Sequence, residues 1–162
     1  MGTATQRFQM NEEADGHTNG ITVLIVDDHP WIGELIALGL GGLGLRTVTA
    51  SDGREAREVL QQHGIANIDL LITEQDLPDL DGKKLMTWFL RENPRGQVIL
   101  MSSFPEEADL CERAAFLRKP FRHDELIARV DELLAESGVV SLQNSGAIFE
   151  TKPACVKPRA SL

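Results

Sequence analysis

The chain has 162 residues, 42% apolar and 25% charged, with a formal net charge of −9. That length holds one domain of ordinary size with room for tails, and no apolar run approaches the roughly 20 residues needed to cross a bilayer. The acidic balance, with no basic stripe on any predicted helix, argues against direct nucleic-acid binding, and Cys111 and Cys155, without CxxC or Cys/His spacing, argue against a zinc site or a disulfide framework.

Residues 1–20 are polar, carry acidic residues and lack an apolar h-region, so they read as a flexible N-terminal extension rather than a secretory signal, and a cytoplasmic location is expected. From residue 21 short β-branched runs alternate with amphipathic stretches. The runs are 22-TVLIV-26, 46-RTVT-49, 69-DLLIT-73, 97-QVILM-101 and 115-AFLR-118. This alternation predicts βα units around a parallel sheet. The first, third and fourth runs are apolar nearly throughout, as strands covered on both faces must be, and are expected at the centre.

Between the strands, the spacing predicts helices packing on the sheet through Ile32, Leu35, Ile36 and Gly39, then Ala56, Val59, Leu60 and His63, then Leu85, Met86 and Phe89. Leu126, Val130, Leu133 and Leu134 supply a last stripe. Asp52 and Asp124 place negative charge at helix N-termini, where capping and the helix dipole favour it. The run 39-GLGGLG-44 matches a dinucleotide fingerprint in composition, but it ends a helix instead of opening one, so a glycine-rich αβ turn is the reading adopted. From Ser137 onward no sustained period appears, and residues 137–162 read as a tail or linker, too short for a further domain.

Chemistry concentrates at the strand ends. Asp27 and Asp28 end the first run, Glu74 followed by Asp76 ends the third, and Lys119 follows the fifth. In an open parallel sheet ligands bind at the C-terminal edge. Clustered carboxylates repel one another unless a cation or a lysine neutralises them, and oxygen-only donors suit Mg²⁺. A Mg²⁺-assisted phosphoryl site is the natural expectation. His29, Trp31 and His123 complete the set: a histidine beside Asp28 has two readings, a contact to the metal site or, more commonly, a cap of the first helix or a solvent-facing side chain, and none of the three is read as a phosphotransfer histidine.

The ordered segments 23-VLIVDDHP-30, 70-LLITEQDLPDLDG-82, 98-VILMSS-103 and 117-LRKPF-121 resemble those of a response-regulator receiver domain, over about residues 21–136. The resemblance implies a flavodoxin-like three-layer sandwich with a five-stranded parallel sheet in order 2-1-3-4-5. By the same resemblance Asp28 is a direct Mg²⁺ ligand, Asp27 acts through water, and position 76 offers its backbone carbonyl. Ser102 is the hydroxyl that reaches the phosphoryl group, Lys119 pairs with phosphoryl oxygens, Phe116 is the aromatic switch, and Pro120 is often preceded by a cis bond. The implied partners are a histidine kinase or phosphotransferase, or an effector protein, with a homodimer compatible with the family.

Two departures stand out. Glu74 occupies the position of the family's phospho-accepting aspartate, and its extra methylene moves the carboxylate by about 1.5 Å, an error comparable to one that costs about 100-fold in rate. Glu74 therefore either extends toward Ser102 and Lys119 as a partial phosphate mimic or fills a lapsed site as an ion pair with Lys119, in a scaffold-like pseudo-receiver. A Mg²⁺-dependent phosphohydrolase is the rival from another class, although such enzymes usually present D-x-D rather than adjacent aspartates. The second departure is the connection 103-SFPEEADLCER-113, which leaves room for one or two helical turns, so the family's fourth helix is expected to be short, displaced or missing.

Overall fold

The computed structural model describes residues 20–104 and 110–136. The expected extensions before residue 20 and after residue 136 therefore lie outside the described residues. The strands are β1 (Thr22–Val26), β2 (Arg46–Ala50), β3 (Leu70–Glu74), β4 (Gln97–Ser102) and β5 (Ala114–Arg118). They form one sheet in the order β2-β1-β3-β4-β5, with every neighbouring pair parallel. Every residue of β3 and β4 is buried, which is why these two runs carry almost no polar side chains before their ends.

The helices are α1 (Pro30–Gly41), α2 (Gly53–His63), α3 (Gly82–Glu92) and α4 (His123–Glu136). On one face, Ile36 and Leu40 of α1 and Leu126, Val130, Leu133 and Leu134 of α4 pack on Val23, Ile25, Ile72 and Ile99. On the other, Ala56, Val59 and Leu60 of α2 and Leu85 and Phe89 of α3 pack on Leu24, Val26, Leu71 and Val98. The alternation of strand side chains thus supplies two cores from one sheet.

One detail of the predicted helix faces is corrected. Leu35 does not pack on the sheet: it is 61% exposed, and Gly33 and Leu40 are buried with Ile36 instead. Because α1 is apolar nearly all round, periodicity alone could not locate its inner face. His63, at the end of α2, is only partly buried. Asp52 caps α2 as expected, its Oδ1 accepting the Glu55 N–H at 2.7 Å. In 39-GLGGLG-44 the left-handed conformation falls at Gly44, φ +82°, in the turn into β2.

The described residues between β4 and β5, namely 103, 104 and 110–113, contain no helix. Residues 105–109, on which the rest of that expectation falls, lie outside the described residues.

Candidate functional site

The parallel register brings the ends of β1, β3, β4 and β5 to one edge. Glu74 is paired in register with Met101, one residue before Ser102, and Ser102 with Arg118, one before Lys119. The ladders run on past the strands, with Gln75 N–H donating to the Met101 carbonyl at 2.8 Å and Lys119 N–H to the Ser102 carbonyl at 2.8 Å. The Lys119–Pro120 peptide bond is cis.

Lys119 is the hub. Its Nζ lies 2.7 Å from Asp27 Oδ2 and also pairs with Glu74 Oε2. Asp27 and Glu74 are both buried, and the lysine side chain is 16% exposed. Burial alone would depress the ammonium's pKa, but the hydrogen bonds and charges of Asp27 and Glu74 outweigh it and raise the value above the ordinary 10.5. The other oxygens are also engaged. Glu74 Oε1 accepts the backbone N–H groups of Gln75 at 3.0 Å and Asp76 at 3.3 Å, and Asp27 Oδ1 accepts the His29 N–H at 2.9 Å.

Ser102 is fully buried, and its hydroxyl oxygen accepts the Phe104 N–H at 3.1 Å. No hydrogen bond joins Ser102 to Glu74 among the described residues. Phe116, in β5 opposite Leu100, is partly buried. Asp76 is exposed, and an isolated bridge ties it to Asp81. Asp28 is exposed, beside the lysine cluster rather than within it.

His29 faces solvent, as one of its readings had it, and also stands beside the acid pair. It is the N-cap residue of α1 but its side chain makes no capping hydrogen bond. Instead its Nδ1 sits 3.0 Å from Asp28 Oδ1 and 3.4 Å from Asp27 Oδ1, and one donor atom from each of the three residues falls within 4.8 Å of the others. Its adjacency to the acid pair in VDDHP was the available signal. Asp79 was missed altogether: its carboxylate accepts the Gly53 and Arg54 N–H groups, each at 2.8 Å, and so fastens the loop after β3 to the N-terminus of α2.

A 2-1-3-4-5 parallel sheet that gathers an acid pair, a third carboxylate, a hydroxyl and a lysine at its C-terminal edge is the build of a receiver module. The family model for the response regulator receiver domain matches residues 23–131, and the chain belongs to that family. It is 30% identical over 139 residues to the probable transcriptional regulatory protein TcrX of Mycobacterium tuberculosis, covering 83% of this chain and 57% of that protein. A segment of 74 residues is 35% identical to the sensor histidine kinase RcsC of Escherichia coli, covering 46% of this chain and 8% of the kinase. The chain thus spans little more than half of TcrX. Among solved structures, the Thermotoga maritima response regulator TrrA in complex with Mg²⁺-BeF aligns with a TM-score of 0.61 at 29% identity, over 70% of this chain and 99% of that one. The receiver domain of the hybrid histidine kinase CckA aligns with the same TM-score at 26% identity, over 70% and 98%.

Proposed function

We propose that the chain is a receiver module of two-component signalling whose site is held in one setting by Glu74 rather than thrown by phosphate. The observation that carries this reading is the engagement of both Glu74 oxygens, one by Lys119 and one by the amides of Gln75 and Asp76. A nucleophilic carboxylate must attack phosphorus in line, with the lysine and a metal free to neutralise the developing charge. Here the longer side chain folds back on its own backbone and occupies the lysine.

The same geometry favours the ion-pair reading over the phosphate mimic. A mimic needs Ser102 drawn to the carboxylate, whereas the Ser102 hydroxyl is turned to the Phe104 amide. The partners are then proteins of the two-component type, a histidine kinase, phosphotransferase or effector, bound without transfer of phosphate.

The donors at this edge fit Mg²⁺ in kind. Asp27, Asp28 and the backbone carbonyl of Asp76 would hold the ion, which when bound neutralises carboxylate and phosphoryl charge. Lys119 already supplies part of that neutralisation, through Asp27 Oδ2 and Glu74.

The test is labelling by acetyl phosphate with Mg²⁺ present, compared between the natural chain and Glu74→Asp. Stable labelling is expected only in the variant, together with tighter Mg²⁺ binding measured by calorimetry. Equal labelling of both proteins would overturn the proposal.

A further inference from the structure

His29 stands at the acidic end of β1 without the duty of an N-cap. Helix α1 opens on Pro30, whose ring nitrogen has no N–H to be capped, and the imidazole makes no capping hydrogen bond. It leans on the acids instead, with Nδ1 3.0 Å from Asp28 Oδ1 and 3.4 Å from Asp27 Oδ1, while 59% of the side chain stays open to solvent.

Lys119 decides which oxygens are left for an ion. It takes Asp27 Oδ2 and Glu74 Oε2, and the amides of Gln75 and Asp76 hold Glu74 Oε1. Asp27 Oδ1 keeps a lone pair beyond the one given to the His29 N–H. Together with the exposed Asp28 and His29, Asp27 brings one donor atom each within 4.8 Å of the others. Donors about 2.0–2.2 Å from one ion stand roughly 3–3.5 Å apart, which is how far the imidazole nitrogen lies from both carboxylates. Charge agrees: the carboxylates of Asp27, Asp28 and Glu74 face the single ammonium of Lys119, and the two negative charges left over match a divalent ion.

From this donor set we propose that His29 is a third protein ligand at the acid pair, and that Asp27 Oδ1, Asp28 Oδ1 and His29 Nδ1 take a divalent transition ion such as Zn²⁺ in preference to Mg²⁺. Mg²⁺ favours oxygen donors in a near-ideal octahedron, and Lys119 with the turned-back Glu74 has withdrawn oxygens that would help to complete one. Imidazole suits zinc, copper, iron and nickel. Three protein donors beside open solvent give the ligand count of a zinc site that keeps a water. The inference rests on the reading of Asp27 and Asp28 as an ion site, and is independent of whether phosphate is transferred.

Nitrogen NMR on the full chain tests this, with ¹⁵N-labelled histidines and with Cys111→Ser and Cys155→Ser removing the thiols that also bind zinc. One equivalent of Zn²⁺ is expected to shift the His29 Nδ1 resonance even with Mg²⁺ in excess. Losing even a partner that only orients a metal ligand costs about 10–100-fold in affinity, so His29→Gln is expected to weaken Zn²⁺ binding by about tenfold or more in calorimetry and to leave Mg²⁺ binding unchanged. An unmoved His29 nitrogen, equal Zn²⁺ affinity in the variant, or displacement of Zn²⁺ by an equal concentration of Mg²⁺ would each overturn the inference. If Mg²⁺ alone then shifts the amides of Asp27 and Asp28, the acids remain an ion site and only the part of His29 falls; a response to neither ion removes both. Labelling of the natural chain by acetyl phosphate would instead sink the Glu74 reading and leave this one standing.

Discussion

At the scale of single residues, Lys119 carries the site, because one ammonium group satisfies two buried carboxylates, one just past β1 and one at the end of β3. Removing one member of a buried ion pair leaves its partner desolvated without compensation, which costs about 3–5 kcal/mol. Lys119→Met, which keeps the length of the aliphatic stem, is accordingly expected to lower the free energy of unfolding by about 3 kcal/mol in urea titrations. A loss below about 1 kcal/mol, the range of exposed pairs, would show that water replaces the lysine freely. The identity of the participants was legible in the sequence, since Asp27, Glu74, Ser102 and Lys119 each end or follow an apolar run. The pair of Glu74 with Lys119 was one of two readings open there, but that of Asp27 with Lys119 was not legible. Asp27 and Lys119 are 92 positions apart, and their meeting depends on the register of strands that lie between them. Nor could spacing show that Glu74 turns back to its own amides, which is a matter of side-chain rotamer.

Elements are positioned by polar contacts at their ends and by one close approach. The loop from β3 to α3 is pinned at three points: Asp79 binds the first amides of α2, Asp81 accepts the Lys83 N–H at 2.8 Å, and Gly82 N–H donates to the Gln75 carbonyl at 2.7 Å. A Cβ on Gly82 would overlap the Glu74 carbonyl oxygen. Backbone cannot yield as a flexible side chain can, so the glycine of 70-LLITEQDLPDLDG-82 is required by contact rather than by dihedral freedom. Gly82→Ala is expected to cost about 2 kcal/mol, the scale of overpacking, and to shift the amide resonances of Glu74–Asp76. An unshifted site would show that α3 moves away as a rigid body. Strand runs and the faces of α2, α3 and α4 were legible because their periods are clear. The inner face of α1 was not, since a helix with a single charge has too little contrast between its sides, and Asp79 was not, since its partners lie on a helix 25 residues earlier.

Across the whole molecule the apolar sheet is closed by a polar clamp at each edge. At the C-terminal edge Lys119 ties β5 to β1 and β3. At the other, Arg113 donates to the carbonyls of Leu90, Asn93 and Gly96, while the Asn93 amide reaches those of Ile65 and Ile68. The two clamps differ in their response to pH. Lys119 titrates above its ordinary 10.5 in the folded chain because it is paired, so its contribution to stability is complete below 10.5 and is lost as pH rises through the higher folded value. An arginine stays charged throughout that range. In urea unfolding between pH 8 and 11.5, the stability gap between the natural chain and Lys119→Met should therefore hold steady up to about pH 10.5 and then close, because the natural chain loses the same charge that the variant lacks. The gap to Arg113→Ala should stay constant over the same interval. A gap to Lys119→Met that does not narrow would mean that the lysine contributes through the packing of its stem and not through its charge.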